Sequence, residues 1–530
     1  MCVLVHRVRY VTSAVFLSLL LTCKSWAVPL CEAASGHEPG HDFFLDTAPL
    51  HFEISVPTND FPSLDSRTRK YVPVVVRWGT NAPIEAGFRL RGLSSFQPMN
   101  KRPAFALKLN TASAQRDFDG LSKLLFNNCA NDKCWMREHL ACSLFRSVGI
   151  PAARTRPVRV SINKRDVGVY LAVEAMNKDF LRRNFGSDSG TLYEGALHDI
   201  DRSLELDNGK DLSRSDVLQL LAAAREPNPA QRWEKMNRIL DVDRFLKFAA
   251  LQTLLGHSDG YLQNRNNYRI YHDPISGKMV FIPHGLDTVF VRGGDMTPAT
   301  NSIVMSALYS IPKAQSLYLA HCCSLITNVW QVSILTNQIH QLAGILMALS
   351  ETAPEYRRLQ NCEGFLVSQI VGRQQEVLAW LSEPAPKPLS LAPGEVIQLT
   401  NWSSFIRSGT PSLFTVTNSD GICLRIDARN HAAAGWRSRA IVSEGDYTFS
   451  CRVLAKPTIE SGGGSIPAVL FRLAGDLGGA ALTQGGRWQL LHYRFIAPRD
   501  GRLVEFLCEL QAGNGDIWID LSSLNLTRTQ

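Results

Sequence analysis

Cysteine is sparse. Twelve occur in 530 residues and no two stand in a C-x-x-C pair, which excludes a disulfide-dense mini-scaffold and a zinc knuckle. Charge of one sign is short as well: the net balance of +8 is mild for this length, far from the dense basic stripe that nucleic-acid binding needs. Long apolar runs are missing beyond the N-terminus, so no other segment is expected to approach the roughly 20 residues of a membrane-spanning helix. What is present is globular in character, 45% hydrophobic and 20% charged, in a length that suits two or three domains.

Residues 1–27 carry Arg7 and Arg9, an apolar run from Tyr10 to Thr22, and Ser25-Trp26-Ala27, whose small first and third positions suit signal peptidase. A signal peptide over 1–27 and an exported mature chain are expected, with 28–47 as an N-terminal segment. Export permits disulfides. Cys129 and Cys134 are close enough in sequence to bridge a loop, whereas Cys322, Cys323 and Cys362 fall on or near helical stretches, where burial as small apolar groups competes with pairing.

From about 48 to 110 the pattern alternates as strands do, at Val72–Arg77, Gly87–Arg91 and Phe105–Leu109. Asp132–Val148 then carries apolar residues at three- and four-residue spacing and ends at Gly149 and Pro151, which predicts a helix. A hairpin follows at Val158–Ile162 and Gly168–Val173. After residue 210 the periodicity turns helical, through 218–224, 232–240, 241–255 and about 303–382. Glu383–Gly394 is rich in proline and reads as a semi-rigid linker. Residues 395–530 return to short alternating runs between Gly-, Asn- and Ser-containing turns, the pattern of a β-sandwich.

The most informative stretch is His257-Ser-Asp-Gly-Tyr-Leu-Gln-Asn264, in which an Asp stands five positions before an Asn. Protein kinases use that spacing to orient the substrate hydroxyl and to hold Mg²⁺. The next thirty residues predict a hairpin, Asn267–His272 returning as Met279–Ile282, whose open end sets Asn264 and Asp287 on adjacent loops with Asp259 close by. Two carboxylates and an amide oxygen suit Mg²⁺, with nucleotide phosphates and water completing its shell. Upstream, Arg91-Gly-Leu-Ser94-Ser95 lies between two strands, and Phe105-Ala-Leu-Lys108 puts three apolar residues on one face and Lys108 on the other. Lys101 and Lys108 are rival phosphate-binding lysines. Glu138 shares a helix face with Trp135, Cys142 and Phe145 and is placed to pair with a lysine.

Together these blocks resemble the CotH kinase family, the spore-coat-protein-H type of atypical kinase. The resemblance rests on Arg91–Ser95 with Lys101, Arg137-Glu-His-Leu-Ala with Gly149-Ile-Pro151, Gly168-Val-Tyr170 with Glu174, and Asp259 through Asn264-Arg-Asn-Asn-Tyr268 to Phe281-Ile-Pro-His-Gly-Leu-Asp287. It implies an α+β, reduced protein-kinase-like two-lobed domain over 48–382, with ATP and Mg²⁺ as cofactors and protein serine as substrate. It further implies Asp259 as catalytic aspartate, Asn264 and Asp287 as metal ligands, and Arg91, Ser94, Ser95, Glu138 and Lys101 or Lys108 around the nucleotide. The family's Pro-Trp-Asp-x-Asp block is here Pro283-His284-Gly285-Leu286-Asp287, one carboxylate short, and its asparagine two residues before the aspartate is His257.

Residues 395–530 resemble the all-β jelly-roll modules of carbohydrate-binding proteins, most clearly at Gly515–Leu521. Of Trp402, Trp436, Trp488 and Trp518, the last alternates with two isoleucines and is the one expected to face outward toward a sugar. Two functions follow from different classes: an exported ATP-dependent protein serine kinase, or a pseudokinase that binds glycan or a cell surface through the sandwich. A hydrolase is the weakest reading.

Overall fold

The computed structural model describes residues 38–530 apart from 67–69, 93–94, 110–118, 211, 291–295, 383–385, 387, 419–420, 457–468, 475–478, 483–484 and 498–501. The signal-peptide expectation therefore lies outside the described residues, as does Ser94.

Alternation in the N-terminal region builds a closed barrel. Its strands are β1 (His51–Ser55), β2 (Val72–Trp78), β3 (Ile84–Arg91), β4 (Ala104–Leu109), β5 (Lys123–Asn127), β6 (Thr155–Ile162) and β7 (Arg165–Glu174). They run in the order β1-β2-β3-β4-β5-β7-β6, and β1 closes on β6 in the one parallel pairing. Phe52, Phe88, Phe105, Phe126 and Val160 fill its interior. The period of two explains this packing, because every second residue of each strand points inward.

The longest helix of this region, α1 (Arg137–Ser147), lies between β5 and β6. It begins five residues later than the periodicity predicts. Asp132 accepts the amides of Cys134 (2.9 Å) and Arg137 (2.8 Å), and Trp135 sits at φ 58°, so 132–136 is a capped turn. Beyond the barrel come α2 (Lys178–Phe185), β8 (Thr191–Gly195), β9 (Glu205–Asn208), α3 (Ser215–Ala224), α4 (Pro229–Ile239) and α5 (Val242–Leu255). The predicted hairpin forms as β10 (Tyr268–Asp273) and β11 (Lys278–Pro283), paired from Tyr268↔Pro283 to Asp273↔Lys278, in a four-stranded sheet ordered β11-β10-β8-β9. Then follow α6 (Ile303–Tyr309), α7 (Pro312–Ser324), α8 (Val332–Leu349) and α9 (Ala353–Ser382). One core joins α1, α3–α9 and the inner face of this sheet, while Phe180 and Leu181 of α2 pack with Leu192, Tyr271 and Ile282 on its other face.

The hydropathy expectation needs correction at α8. At 18 residues it is long and apolar enough to cross a membrane by length and composition. Its buried residues Leu335, Ile339, Leu342, Ala343, Leu346 and Leu349 share one face and pack into the core.

The C-terminal module is all-β, built on two long strands, Gly421–Val442 and Arg502–Asp520. Their pairing shifts register between Ala428 and Ala434, letting one hydrogen-bonded network fold over a single core that includes Phe449, Phe471 and Phe506. The proline-rich linker is partly absorbed: Pro388–Leu389 pairs with Ile441–Val442, and Leu391 is buried. The module docks on the helices through Glu505, whose Oε2 accepts from Trp380 Nε1 (3.0 Å) and Thr297 Oγ1 (2.9 Å). Trp518 is half-buried between buried Ile517 and Ile519, but its ring is no bare platform. The Arg425 guanidinium and the Lys456 ammonium lie 4.7 and 5.3 Å from its centroid.

Candidate active site

Strand alternation sets one wall of a cleft between the barrel and the helices. With Phe88 and Leu90 inside the barrel, β3 leaves Arg89 and Arg91 outside; β4 leaves Ala106 and Lys108 outside, and β5 leaves Lys123, Leu125 and Asn127. Register then places Lys108 directly beside Lys123. Burial first, then repulsion from Arg89, Arg91, Arg269 and Lys108, pushes the Lys123 ammonium down to about 8. Arg91 is lowered by the same two causes, burial and then Arg269. Arg269 itself is paired, with Glu194 Oε2 at 3.0 Å and with Asp207. Among the described residues Arg91 and Lys123 have no ion pair or side-chain hydrogen bond of their own, an arrangement that a bound anion stabilises.

The opposite wall comes from two loops brought together by the β10–β11 hairpin. The first leaves α5 at Gly256, turns through 257–260, makes one short helical turn at Tyr261–Asn264 and enters β10. The Asp259 carboxylate is held by three asparagines. Asn264 Nδ2 donates to Oδ1 (2.6 Å), Asn266 Nδ2 to both oxygens (3.1 and 3.2 Å), and Asn267 Nδ2 to Oδ2 (2.8 Å) and to the Asp259 carbonyl (3.0 Å). The second loop leaves β11 at Pro283, passes Gly285 at φ 54° and makes a 3-10 turn over Leu286–Thr288 that carries Asp287. His284 N donates to Asn267 O (3.0 Å) and sets the two loops side by side.

Asp287 accepts from Asn131 Nδ2 at 3.1 Å. Burial raises its pKa, and the nearby Asp259 adds to the rise. Glu138, on α1, is pushed up to about 7 by burial first and Asp287 second, although Asn127 Nδ2 donates to it at 2.6 Å. Glu138 thus lies within electrostatic reach of both Asp287 and Arg91, and a small cavity lined by Leu125, Glu138, Cys142, Arg269, His284 and Gly285 opens beside it. His257 and His284 add no charge to it near neutrality, since burial holds them down to about 4 and about 3.

The structure sets Asn264 against Asp259, with Asp287 on the adjoining loop, and brings Glu138 within electrostatic reach of Asp287 and Arg91. Lys108 stands at the exposed rim, its ammonium 5.9 Å from the Tyr71 ring centroid. Lys101 is exposed in the loop before β4, where its amide bonds Pro98 O, and no contact ties it to the cleft among the described residues. Ser95 sits in the turn at the end of β3, its carbonyl accepting from Asn128 Nδ2 at 3.3 Å. Sequence reasoning missed Lys123, Arg269 and the two further asparagines on Asp259. The alternation of Lys123-Leu-Leu-Phe-Asn127 carries a signal for the first; the register that pairs it with Lys108 does not show in one dimension.

Two hydrolase-like strings also occur, and neither has the context its chemistry needs. Gly256-His-Ser-Asp-Gly260 matches G-x-S-x-G, but it follows α5, whereas a nucleophile elbow joins a strand to a helix. His37-Glu-Pro-Gly-His41 matches H-E-x-x-H, but Gly40 is left-handed and the helix begins only at His41.

Residues 88–351, the segment that builds both walls, match the family model described as CotH kinase protein. This segment belongs to the CotH kinase family. A curated relative is the inner spore coat protein H of Bacillus subtilis (strain 168), 22% identical over 192 residues, which cover 33% of this chain and 52% of that protein. The chain therefore spans about half the length of this CotH relative. Among solved structures, 27% of this chain aligns with 99% of the CBM22-1 xylan-binding domain of Paenibacillus barcinonensis Xyn10C, at 14% identity and a TM-score of 0.20. A second is TmCBM61 in complex with β-1,4-galactotriose, at 10% identity, 25% and 90% coverage and a TM-score of 0.19. At such scores these alignments carry no argument.

Proposed function

We propose that this protein is an exported, ATP- and Mg²⁺-dependent protein serine kinase of the CotH type. The observation that carries the reading is the bonding of Asn264 to Asp259 at 2.6 Å with Asp287 on the adjoining loop, opposite Arg91 and Lys123. Asp259 takes the part of the group that orients the serine hydroxyl and accepts its proton. The four amide contacts already use the lone-pair positions of its carboxylate, so a substrate hydroxyl enters by replacing one donor. Asn264, which is exposed, is placed to yield.

The residues fit a divalent cation. Among the described residues no three His, Cys, Asp or Glu side chains form a cage of their own, and Mg²⁺ sites at nucleotides commonly use one or two protein oxygens with phosphates and water. Asp287 is a half-buried carboxylate destabilised by burial and, less, by Asp259, and the Asn264 side-chain oxygen accepts no hydrogen bond among the described residues. These two would hold the ion, which when bound neutralises charge on the nucleotide phosphates. Arg91 and Lys123 would take the phosphates from the barrel side, with Lys108 at the rim.

The test is Mg²⁺-dependent nucleotide binding together with phosphate transfer to a serine-containing protein, with Asp259→Ala as control. Binding and transfer that Asp259→Ala abolishes support the kinase. Transfer that survives it removes Asp259 from this role.

A pseudokinase has one observation in its favour, Gly285 in place of the family's first carboxylate. In that reading the nucleotide binds without transfer and the sandwich supplies the function, holding glycan or cell surface at the row Phe414, Arg425, Trp518 that register aligns across three strands. Retention on polysaccharide that Trp518→Ala abolishes would support it.

A further inference from the structure

The loop over residues 128–136 reaches the site through Asn131, which holds Asp287, and it is fastened to α9 at its other side. Lys133 O accepts from Arg358 Nε at 2.5 Å and lies 3.7 Å from Cys362 Sγ. The Arg358 guanidinium covers Trp135, 4.6 Å from the ring centroid. Cys134 follows Lys133 directly, so the contact with Lys133 O sets the Cys362 thiol beside Cys134, and each thiol shifts the ionisation of the other. Both are shielded, at 3% and 9% exposure. Cys129, Cys134 and Cys362 are all free thiols, and Cys129 Sγ turns to Asn127 O at 3.5 Å rather than toward Cys134, the partner that sequence proximity suggests.

We propose that Cys134 and Cys362 join as a disulfide in the exported protein, tying the loop that presents Asn131 to Asp287 onto helix α9. Two cysteines 228 positions apart share a contact that no local sequence feature creates, in a chain whose N-terminus reads as an export signal. The chemistry is exchange with an oxidised thiol carrier such as glutathione disulfide. The Cys362 thiolate attacks one carrier sulfur and expels the first carrier thiolate; Cys134, losing its proton to solvent, then attacks Cys362 Sγ and expels the second. Two protein thiols are oxidised and one carrier disulfide is reduced to two thiols. Contact with Cys134 lowers the Cys362 thiol, which suits it to the first attack. The pairing itself does not depend on the kinase reading; only its consequence for Asp287 does.

The full-length chain is equilibrated in a glutathione redox buffer, quenched with acid, alkylated with N-ethylmaleimide and peptide-mapped. The expected result is a peptide joining Cys134 to Cys362 that disappears on reduction, with Cys134 alkylated in Cys362→Ser. Recovery of both residues alkylated without reduction, or of either paired with another cysteine, overturns the proposal. The map of the unsubstituted chain decides this even if a variant fails to fold.

Discussion

The Asn267 amide oxygen lies 2.4 Å from the point a Cβ on Gly285 would occupy. Real Cβ atoms do not approach neighbours so closely, so a side chain at 285 and the present position of Asn267 exclude one another. Since Asn267 also donates to the Asp259 carboxylate and carbonyl, the residue that fills the missing carboxylate's place is itself a brace for the aspartate. Gly285 is thus built into the local packing.

Restoring the family's acid will therefore not restore a site by itself. Gly285→Asp should destabilise the chain by about 1–3 kcal/mol, from left-handed strain at φ 54° and from overlap with Asn267. Asn267→Gly in the same chain should recover part of this. Urea unfolding of the two single variants and the double variant measures the coupling, and strict additivity would show that the two positions do not interact.

Lys123, rather than Lys101, should govern nucleotide affinity. Lys123→Met should weaken Mg²⁺-nucleotide binding by about tenfold or more, on the scale of a lost charge-assisted contact, while Lys101→Met leaves it unchanged. Because the Lys123 ammonium is held down to about 8, affinity should fall as pH rises from 7 to 9, and Lys123→Arg should flatten that fall. Calorimetric titration across that range is the check.

Glu138 makes the fold sensitive to pH in a defined direction. Its folded value, about 7, lies above the ordinary glutamate value of 4.5, so its contribution is fully present below pH 4.5 and is lost as pH rises through 7. Glu138→Gln keeps the neutral shape, and at pH 8 it should be more stable than the unsubstituted chain by roughly 1–3 kcal/mol. The gap should close below pH 5. Denaturant midpoints at several pH values read this directly.

Glu505 should hold the two modules together. Glu505→Ala leaves the Trp380 indole N–H and the Thr297 hydroxyl without their shared acceptor, at a cost of about 1–3 kcal/mol. Limited proteolysis should then cut faster within 383–394 than in the unsubstituted chain. An unchanged cleavage rate would mean that the docking rests on apolar contact alone.

Phosphate transfer, where present, should drop about 10²–10⁴-fold in Asp259→Asn, the range for loss of a positioned general base. Nucleotide affinity should change far less, because the proposed arrangement assigns Asp259 to the substrate hydroxyl and Arg91 and Lys123 to the phosphates. A single-turnover assay beside a binding measurement separates the two effects.

By itself the sequence determined what is written in local periodicity: the strands of the barrel, the helical region after 210, the β10–β11 hairpin, and with that hairpin the placing of Asn264 and Asp287 on adjacent loops. Each of these is set by side-chain alternation or by a turn a few residues long. Tertiary structure alone decided which lysine enters the cleft, because Lys108 and Lys123 lie on the same barrel face and differ only in how the chain beyond covers them. It also decided that Cys362 lies against the Lys133 carbonyl beside Cys134, that Trp518 lies near two cations, and that Gly285 yields its space to Asn267. Those outcomes depend on residues tens to hundreds of positions apart, and only closing the barrel against the helices brings them into contact.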